Sequence, residues 1–422
     1  MKHHRTALRL PEFIALMAVM VSTVALSTDI MLPALDVIGD ELEVTRARDT
    51  QLVVTTLFFG FALGQIVVGP LSDHFGRRSI IHLGYAVFLF GCLLSITATS
   101  FNTMLVGRIM QGLGAAAPRI ITLAIVRDGY VGREMARIMS FVMVVFILVP
   151  ALAPALGQGV LLLANWRAMF MVLFCVAALG WMWFALRQPE TLALENRRSL
   201  NLTSLIEGVR VFGSSQRTVA YTVAQGLVLG AFLGYLSLAQ PIYQQTYSTG
   251  SAFVLWFGLA ALAIGLASVL NGHLVMRLGM RVMTRHALLL VILAALCFLV
   301  PVLLSHGVPH FAWFMLWVMV TFGGVGILFG NLNALAMEPL GHMAGLGAAI
   351  VGSLSTFIAL PLGWLIGAGY QGGVSSLVVG FAALSMCALL ITEDAELRAR
   401  LDAVSEPGAV SDTDKTAQTK KG

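Results

Sequence analysis

Long apolar runs separated by short polar breaks organise this chain. They fall near residues 12–35, 50–71, 79–99, 103–126, 138–161 and 166–187. After a polar stretch they resume near 218–243, 252–276, 283–305, 310–333, 344–368 and 373–391. Each run approaches the ~20 mostly apolar residues that an α-helix needs to cross a bilayer. Within lipid, only helices and closed barrels satisfy their own backbone polar groups. The pattern therefore predicts an all-α polytopic membrane protein of twelve transmembrane helices in two six-helix bundles.

The first run follows Lys2, Arg5 and Arg9, as a signal peptide's core follows its basic start. It exceeds the ~7–15 apolar residues of such a core, and it carries Asp29 and Pro33. It reads as an uncleaved first helix. The polar stretch after the sixth run holds Pro189, Glu190, Glu195, Arg197 and Arg198. It divides the chain into an N-terminal bundle (1–188), a linker (189–217), a C-terminal bundle (218–392) and a polar tail (393–422) expected to be disordered. Asn201-Leu-Thr203 is formally a glycosylation sequon, inert if the linker is cytoplasmic.

Basic residues set the orientation. One side collects the N-terminus, Arg77, Arg78, Arg127, Arg133, Arg137, the linker, Arg277, Arg281, Arg285 and the tail with Arg398, Arg400, Lys415, Lys420 and Lys421. The other offers Arg46, Arg48 and Arg167. The first side is expected to be cytoplasmic, with both termini on it. The halves also look duplicated. Gly69-Pro-Leu-Ser-Asp73-His-Phe-Gly76-Arg77-Arg78 follows the second run, and Gly272-His-Leu-Val-Met-Arg277-Leu-Gly279-Met-Arg281 follows the eighth with identical glycine and arginine spacing. Transporters are often built from such repeats.

Composition narrows the class. The chain is 58% hydrophobic and 11% charged, far short of the ~25% charge of a soluble protein. Its net charge of +5 sits between the runs, where topology accounts for it without nucleic acid. Cys92, Cys175, Cys297 and Cys387 lie in separate runs with no metal or redox spacing, and they read as small buried hydrophobes.

Ionisable residues well inside the runs are few: Asp29, Arg108 and Arg119. Each costs about 2.5–3.5 kcal/mol on insertion scales, so each is a functional candidate with a partner to find. Burial disfavours the charged form of any carboxyl. Asp29 is thus either a proton-responsive acid or a permanently paired structural carboxylate near the helix end. Arg108 stays charged; it either biases a neighbouring acid or packs helices through backbone carbonyls, with Gln111 one turn along the same face. Arg119 follows Pro118 and either faces a central cavity or pairs with a carbonyl freed by that proline. In the loop after the second run, Asp73 is placed against a helix N-terminus of the other half. Arg77 is within reach of Asp128, and this cluster reads as a cytoplasmic latch or as a plain topology anchor. Pro150, Pro154 and Gly157 should let the fifth helix bend. Gly60-x-x-x-Gly64, Gly230-x-x-x-Gly234, Gly326-x-x-x-Gly330 and Gly363-x-x-x-Gly367 are packing signals. Tyr235, Gln240, Tyr243, Gln244, Asn331 and Asn333 are candidates for a pocket lining in the second half. No metal, nucleotide or catalytic motif is present. The chain reads as a transporter, not an enzyme, with no cofactor, and its energy must come from an ion gradient.

These residues resemble a known family. The Gly69–Arg78 loop is similar to the cytoplasmic loop motif of the major facilitator superfamily, and Arg108-Ile-Met-Gln111-Gly112 to the helix-four motif of its proton-coupled members. Thr28-Asp29-Ile-Met-Leu-Pro33-Ala-Leu resembles the first helix of the Bcr/CflA drug-efflux family. Arg127-Asp128-Gly-Tyr130, Asn165-Trp166-Arg167 and Met337-Glu338-Pro339-Leu-Gly-His342 resemble it too. The resemblance implies a monomeric drug:proton antiporter of the bacterial inner membrane, working by alternating access on small, largely apolar or amphipathic compounds. It makes Asp29 the proton-responsive acid, Arg108 its coupling partner, and Gly69, Asp73, Gly76, Arg77, Arg78 and Asp128 the gating loop. Where antiporters of this kind carry Gly-Pro with paired glycines in helix five, this chain has Ala153-Pro154-Ala-Leu-Gly157-Gln158-Gly159. Export of an endogenous metabolite, such as an amino acid or siderophore precursor, and proton-coupled import remain open alternatives on the same fold.

Overall fold

Pro33 decides where the first helix stops. In an α-helix its ring would clash with the carbonyl of Asp29, four residues earlier, and it has no N–H to offer that carbonyl. In the computed structural model, which describes residues 8–130, 132–197 and 210–405, helix α1 (Leu10–Asp29) ends at that residue. A single tight turn over Leu32–Ala34 follows, and then a short helical extension, Leu35–Glu41.

The remaining long helices are α2 (Leu52–Phe75), α3 (Arg77–Ile96), α4 (Phe101–Gly129), α5 (Gly132–Leu163), α6 (Trp166–Arg187), α7 (Gln216–Gln240), α8 (Phe253–Leu278), α9 (Met280–Leu304), α10 (Phe311–Met337), α11 (Ala344–Ala368) and α12 (Ser375–Ser405). Among the described residues there is no strand. Eleven spans among the described residues are long and apolar enough to cross a bilayer, and α5 supplies the shorter apolar stretch Leu148–Leu163. Side chains of Ser100, Asn165 and Ser215 cap α4, α6 and α7 by accepting from the first-turn amides, which would otherwise be orphaned.

The packing repeats. In the first half α4 lies against α1, α2 and α3, α1 against α5 and α6, and α3 against α6. In the second half α10 lies against α7, α8 and α9, α7 against α11 and α12, and α9 against α12. Adding six to each helix number converts one set into the other. The halves meet where α2 packs on α11 and α5 on α8, two crossings that the same exchange interconverts. Missing side chains permit the closest approaches. A Cβ on Gly112 would stand 1.9 Å from the Leu57 carbonyl oxygen, and one on Gly326 would stand 2.3 Å from that of Ile264. The α4–α2 and α10–α8 crossings are thus built the same way.

Two sequence expectations need correction. Cys92 is buried, but Cys175, Cys297 and Cys387 are exposed. Their surroundings are an apolar outer surface that carries Leu163, Leu186, Met276 and Leu304. Lipid is as apolar as a core, so such residues need not face inward. The second correction concerns the tail. α12 continues to Ser405, because Glu393 and Glu396 are paired with Arg285 and Arg281 of α9 and Asp394 with Arg398 one turn on. Residues 406–422, with Lys415, Lys420 and Lys421, lie outside the described residues, as do Lys2, Arg5, Arg198 and Asn201–Thr203. At the α2–α3 turn Asp73 pairs with Arg77 of its own half. Four residues apart across the α2–α3 turn, the two meet at no loop-closure cost.

Candidate functional site

The break in α1 leaves carbonyls without intrahelical partners, and a buried arginine takes one of them. Arg108 of α4 is fully buried. Its Nη2 donates to the Ser27 carbonyl (3.0 Å), its Nε to the Val53 carbonyl (2.9 Å), and its Nη1 to Gln111 Oε1 (2.6 Å). Gln111 Nε2 in turn donates to the Gly91 carbonyl (3.2 Å) and to Ser95 Oγ (2.9 Å). The guanidinium also lies 5.8 Å from the Phe170 ring centre. Arg108 thus ties α4 to α1, α2 and α6, and Gln111 extends the tie to α3. A planar fork of donors suits this better than a lysine would.

Asp29 stands beside this hub and outside it. It is buried at 4% exposure, and its Oδ1 has no hydrogen-bond partner among the described residues. The Arg108 charge is within electrostatic range, yet the guanidinium spends its donors on the two carbonyls and Gln111. A buried charged oxygen without a partner is costly, so binding of a proton or of a donor from a cargo molecule would relieve it. The Tyr235 hydroxyl of α7 is within electrostatic range too, which sets the acid against the other half. α5 closes over the break: a Cβ on Gly157 would stand 1.8 Å from the Ile30 carbonyl oxygen. Pro150 and Pro154 lie within the same unbroken helix, and Ala151 between them meets Gly258 of α8, whose Cβ would stand 3.1 Å from the Ala151 carbonyl oxygen.

The second-half candidates separate. Tyr235 and Tyr243 are both buried; their hydroxyls are 3.3 Å apart, and that of Tyr243 reaches Met315 Sδ at 3.4 Å. Tyr235 stacks on Phe257 and meets Phe322 edge-on. Asn331 instead exchanges two amide hydrogen bonds, 3.0 and 3.1 Å, with Asn271 of α8. Its polar atoms serve the α8–α10 contact, and Asn333 is exposed. Gln240 donates to Asp36 Oδ2 and, at 3.2 Å, to Gln244 Oε1, at the face opposite the chain ends. Arg119 is half-buried in α4 directly after Pro118.

At the face bearing the chain ends, Gly76 joins α2 to α3 with φ +95°, a conformation glycine adopts without strain. Gly69 lies one and a half turns before the end of α2. Arg77, only 4% exposed, donates to Asp73, to Ser72 Oγ (2.8 Å) and to Asp128 Oδ2 (3.0 Å). Arg78 reaches the Ala185 carbonyl (2.6 Å). Sequence reasoning missed the role of Glu190, whose carboxylate accepts from the backbone N–H groups of Arg77 and Arg78, both at 3.0 Å. It caps the start of α3, where a negative charge is favoured. Asp36 and Asn271 were missed as well. Their partners lie far along the chain, and their own surroundings carry no spacing signal.

Residues 17–363 match the sequence pattern of the Major Facilitator Superfamily. The chain is 28% identical to the bicyclomycin resistance protein homolog of Haemophilus influenzae over 344 residues, 80% of this chain and 84% of that one. It is 25% identical to multidrug resistance protein D of Escherichia coli over 358 residues, 81% and 85% of the two chains. In fold it is similar to the xylose transporter XylE of E. coli in a partially occluded, inward-open conformation, with TM-score 0.71, 11% identity, and coverage of 91% of this chain and 97% of that one.

Proposed function

Because this chain belongs to the Major Facilitator Superfamily, we propose that it is a proton-driven exporter of small, apolar or amphipathic compounds, drugs among them, in the bacterial inner membrane. Its relatives include bicyclomycin resistance and multidrug resistance proteins, which supports this cargo class. The observation that carries the coupling is Asp29. It is a buried acid with an unpartnered oxygen at the break of α1, next to the Arg108 hub and within electrostatic range of the other half.

In this reading the face with both chain ends is cytoplasmic, as the arginine distribution supports. Asp29 takes a proton from outside when the cargo leaves and returns it to the cytoplasm when new cargo arrives. Arg108 holds the helix break in register so that the acid is presented to the interface between the halves. The Arg77–Asp73–Asp128 cluster keeps the α2–α3 turn rigid at the cytoplasmic side and rearranges as the halves rock. The polar pairs of the second half hold its helices together and carry no proton.

The test uses everted vesicles with an acidified lumen and a pH-sensitive dye, screened with chloramphenicol-like and cationic compounds. A compound that dissipates the gradient through the wild type and at least tenfold less through Asp29→Asn supports the reading. Full pH-driven efflux by Asp29→Asn sinks the role of the acid. If no compound dissipates the gradient while the protein is folded and inserted, an endogenous metabolite replaces drugs as the cargo.

A further inference from the structure

Helix α7 does not simply end at Gln240. Pro241 cannot donate to the helix ladder, and the chain passes into a wider π-turn over Pro241–Thr246. In an α-helix two residues five apart point about 140° away from each other. The i→i+5 bonding of a π-turn brings them back to the same side, and such turns concentrate at functional sites. Gln240 and Gln245 are five apart, and both reach one carboxylate, that of Asp36, in the short extension after α1. Gln240 Nε2 donates to Oδ2. Gln245 Nε2 lies 3.2 Å from Oδ2 and 3.3 Å from Oδ1.

The acceptor and its donors belong to different halves, and each is braced by its own. On the first-half side the extension is anchored by Glu41, which accepts from Trp166 Nε1 (2.6 Å) and pairs with Arg167 of α6. On the second-half side Tyr370 donates to the Pro241 carbonyl (3.3 Å), and Thr249 holds the Tyr243 carbonyl (2.9 Å). A cavity of about 430 Å³ adjoins the contact, walled by Thr50 and Gln51 of one half and Ser237 and Tyr370 of the other. Arg46 borders the same cavity, but Asp36 forms no ion pair with it. Neutral amides bind a carboxylate more weakly than a guanidinium fork does, which suits a contact that must part in every cycle.

We infer that Asp36, Gln240 and Gln245 form the clasp that holds the exit shut at the face opposite the chain ends, and that release of cargo on that side requires the two glutamines to let go of the acid. The inference rests on the transport reading only in taking the halves to rock against each other. Its test is a distance, independent of any cargo.

Spin labels carried on a non-natural amino acid at Val37 and Ser248, one from each half and both lining a second cavity on this side, leave the native cysteines in place. Double electron–electron resonance on the full chain in nanodiscs then reports the width of the exit. Asp36→Ala is expected to raise the ratio of wide to narrow distances about tenfold, equivalent to about 1.4 kcal/mol, and Gln240→Ala or Gln245→Ala to raise it several-fold. Gln245 is exposed, so its variant preserves the fold if Asp36→Ala does not. Unchanged distances in every folded variant overturn the clasp. So does an exit opened by Asp36→Ala and left shut by both glutamine variants, since the acid would then act alone.

Discussion

The α2–α3 turn and its repeat between α8 and α9 share glycine spacing and backbone form, with φ +95° at Gly76 and +82° at Gly279. Their surroundings differ. Around Gly76 the arginine is buried: Arg77 sits between Asp73 and Asp128, and the Glu190 carboxylate crowds the glycine itself. Around Gly279 there is open space. Met280 stands where Arg77 does, and the next residue, Arg281, aligned with Arg78, is 44% exposed and pairs with Glu338, 52% exposed, and with Glu396, 14% exposed. The same contrast runs through the membrane region. The first half buries a charged hub at Arg108 and an acid at Asp29, whereas the second buries a neutral pair, Asn271 with Asn331, and an aromatic cluster about Tyr235. Duplication copied the backbone packing and not the charges. Backbone packing depends on which positions lack a side chain, and that tolerates divergence elsewhere. A buried charge needs every partner at once, and losing one leaves the rest costly.

The sharpest way to break this comparison is at the hub. Arg108→Ala would leave the Ser27 carbonyl and Gln111 Oε1 buried and unpaired, at ~1–3 kcal/mol each. A loss of about 3 kcal/mol or more is expected, read as a collapse of the thermal midpoint and of monodisperse yield. Asn331→Ala in the second half should cost roughly 1–2 kcal/mol, for one amide partner left behind. Equal losses in the two variants would erase the distinction between the halves.

Next in size are the turn arginines. Arg77→Ala leaves two carboxylates side by side. A fully buried pair costs ~3–5 kcal/mol when broken, and partial exposure of Asp73 discounts this to about 2 kcal/mol. Arg281→Ala should cost about 0–1 kcal/mol, as exposed pairs do. Raising the salt concentration should shift the stability of the second-half turn and leave the first nearly unchanged, because buried pairs are screened less.

The symmetric feature should behave symmetrically. Gly112→Ala and Gly326→Ala each force a methyl group against a carbonyl oxygen, and overpacking of this kind costs ~1–3 kcal/mol. Matched losses would sharpen the view that backbone packing is what the halves share. A loss confined to one variant would break it.

Much of this was legible in one dimension. Hydropathy located the spans, because a bilayer demands ~20 apolar residues per helix whatever the partners. The repeated Gly-x6-Gly-x-Arg spacing showed the duplication. Arg108 and Gln111, one turn apart on one helix, could be joined from spacing alone, and they are. The ends of α12 and the exposed cysteines were misread. Polarity was taken for disorder where ion pairs hold a helix, and apolar character was taken for burial where lipid is the neighbour.

What the sequence determined by itself was local: the spans, the turns at Gly76 and Gly279, and the scarcity of charge inside the runs. Only the tertiary structure decided who satisfies whom. The Ser27 carbonyl was certain to need a donor once the helix broke, but that the donor is Arg108, 81 positions away, depended on how four helices pack. Asp36 and Gln240, 204 positions apart, meet because a π-turn in one half faces an extension in the other. Hydrophobic burial needs no particular partner, so it is written along the chain. A hydrogen bond needs one atom in one place, and that place exists only once the helices have come together.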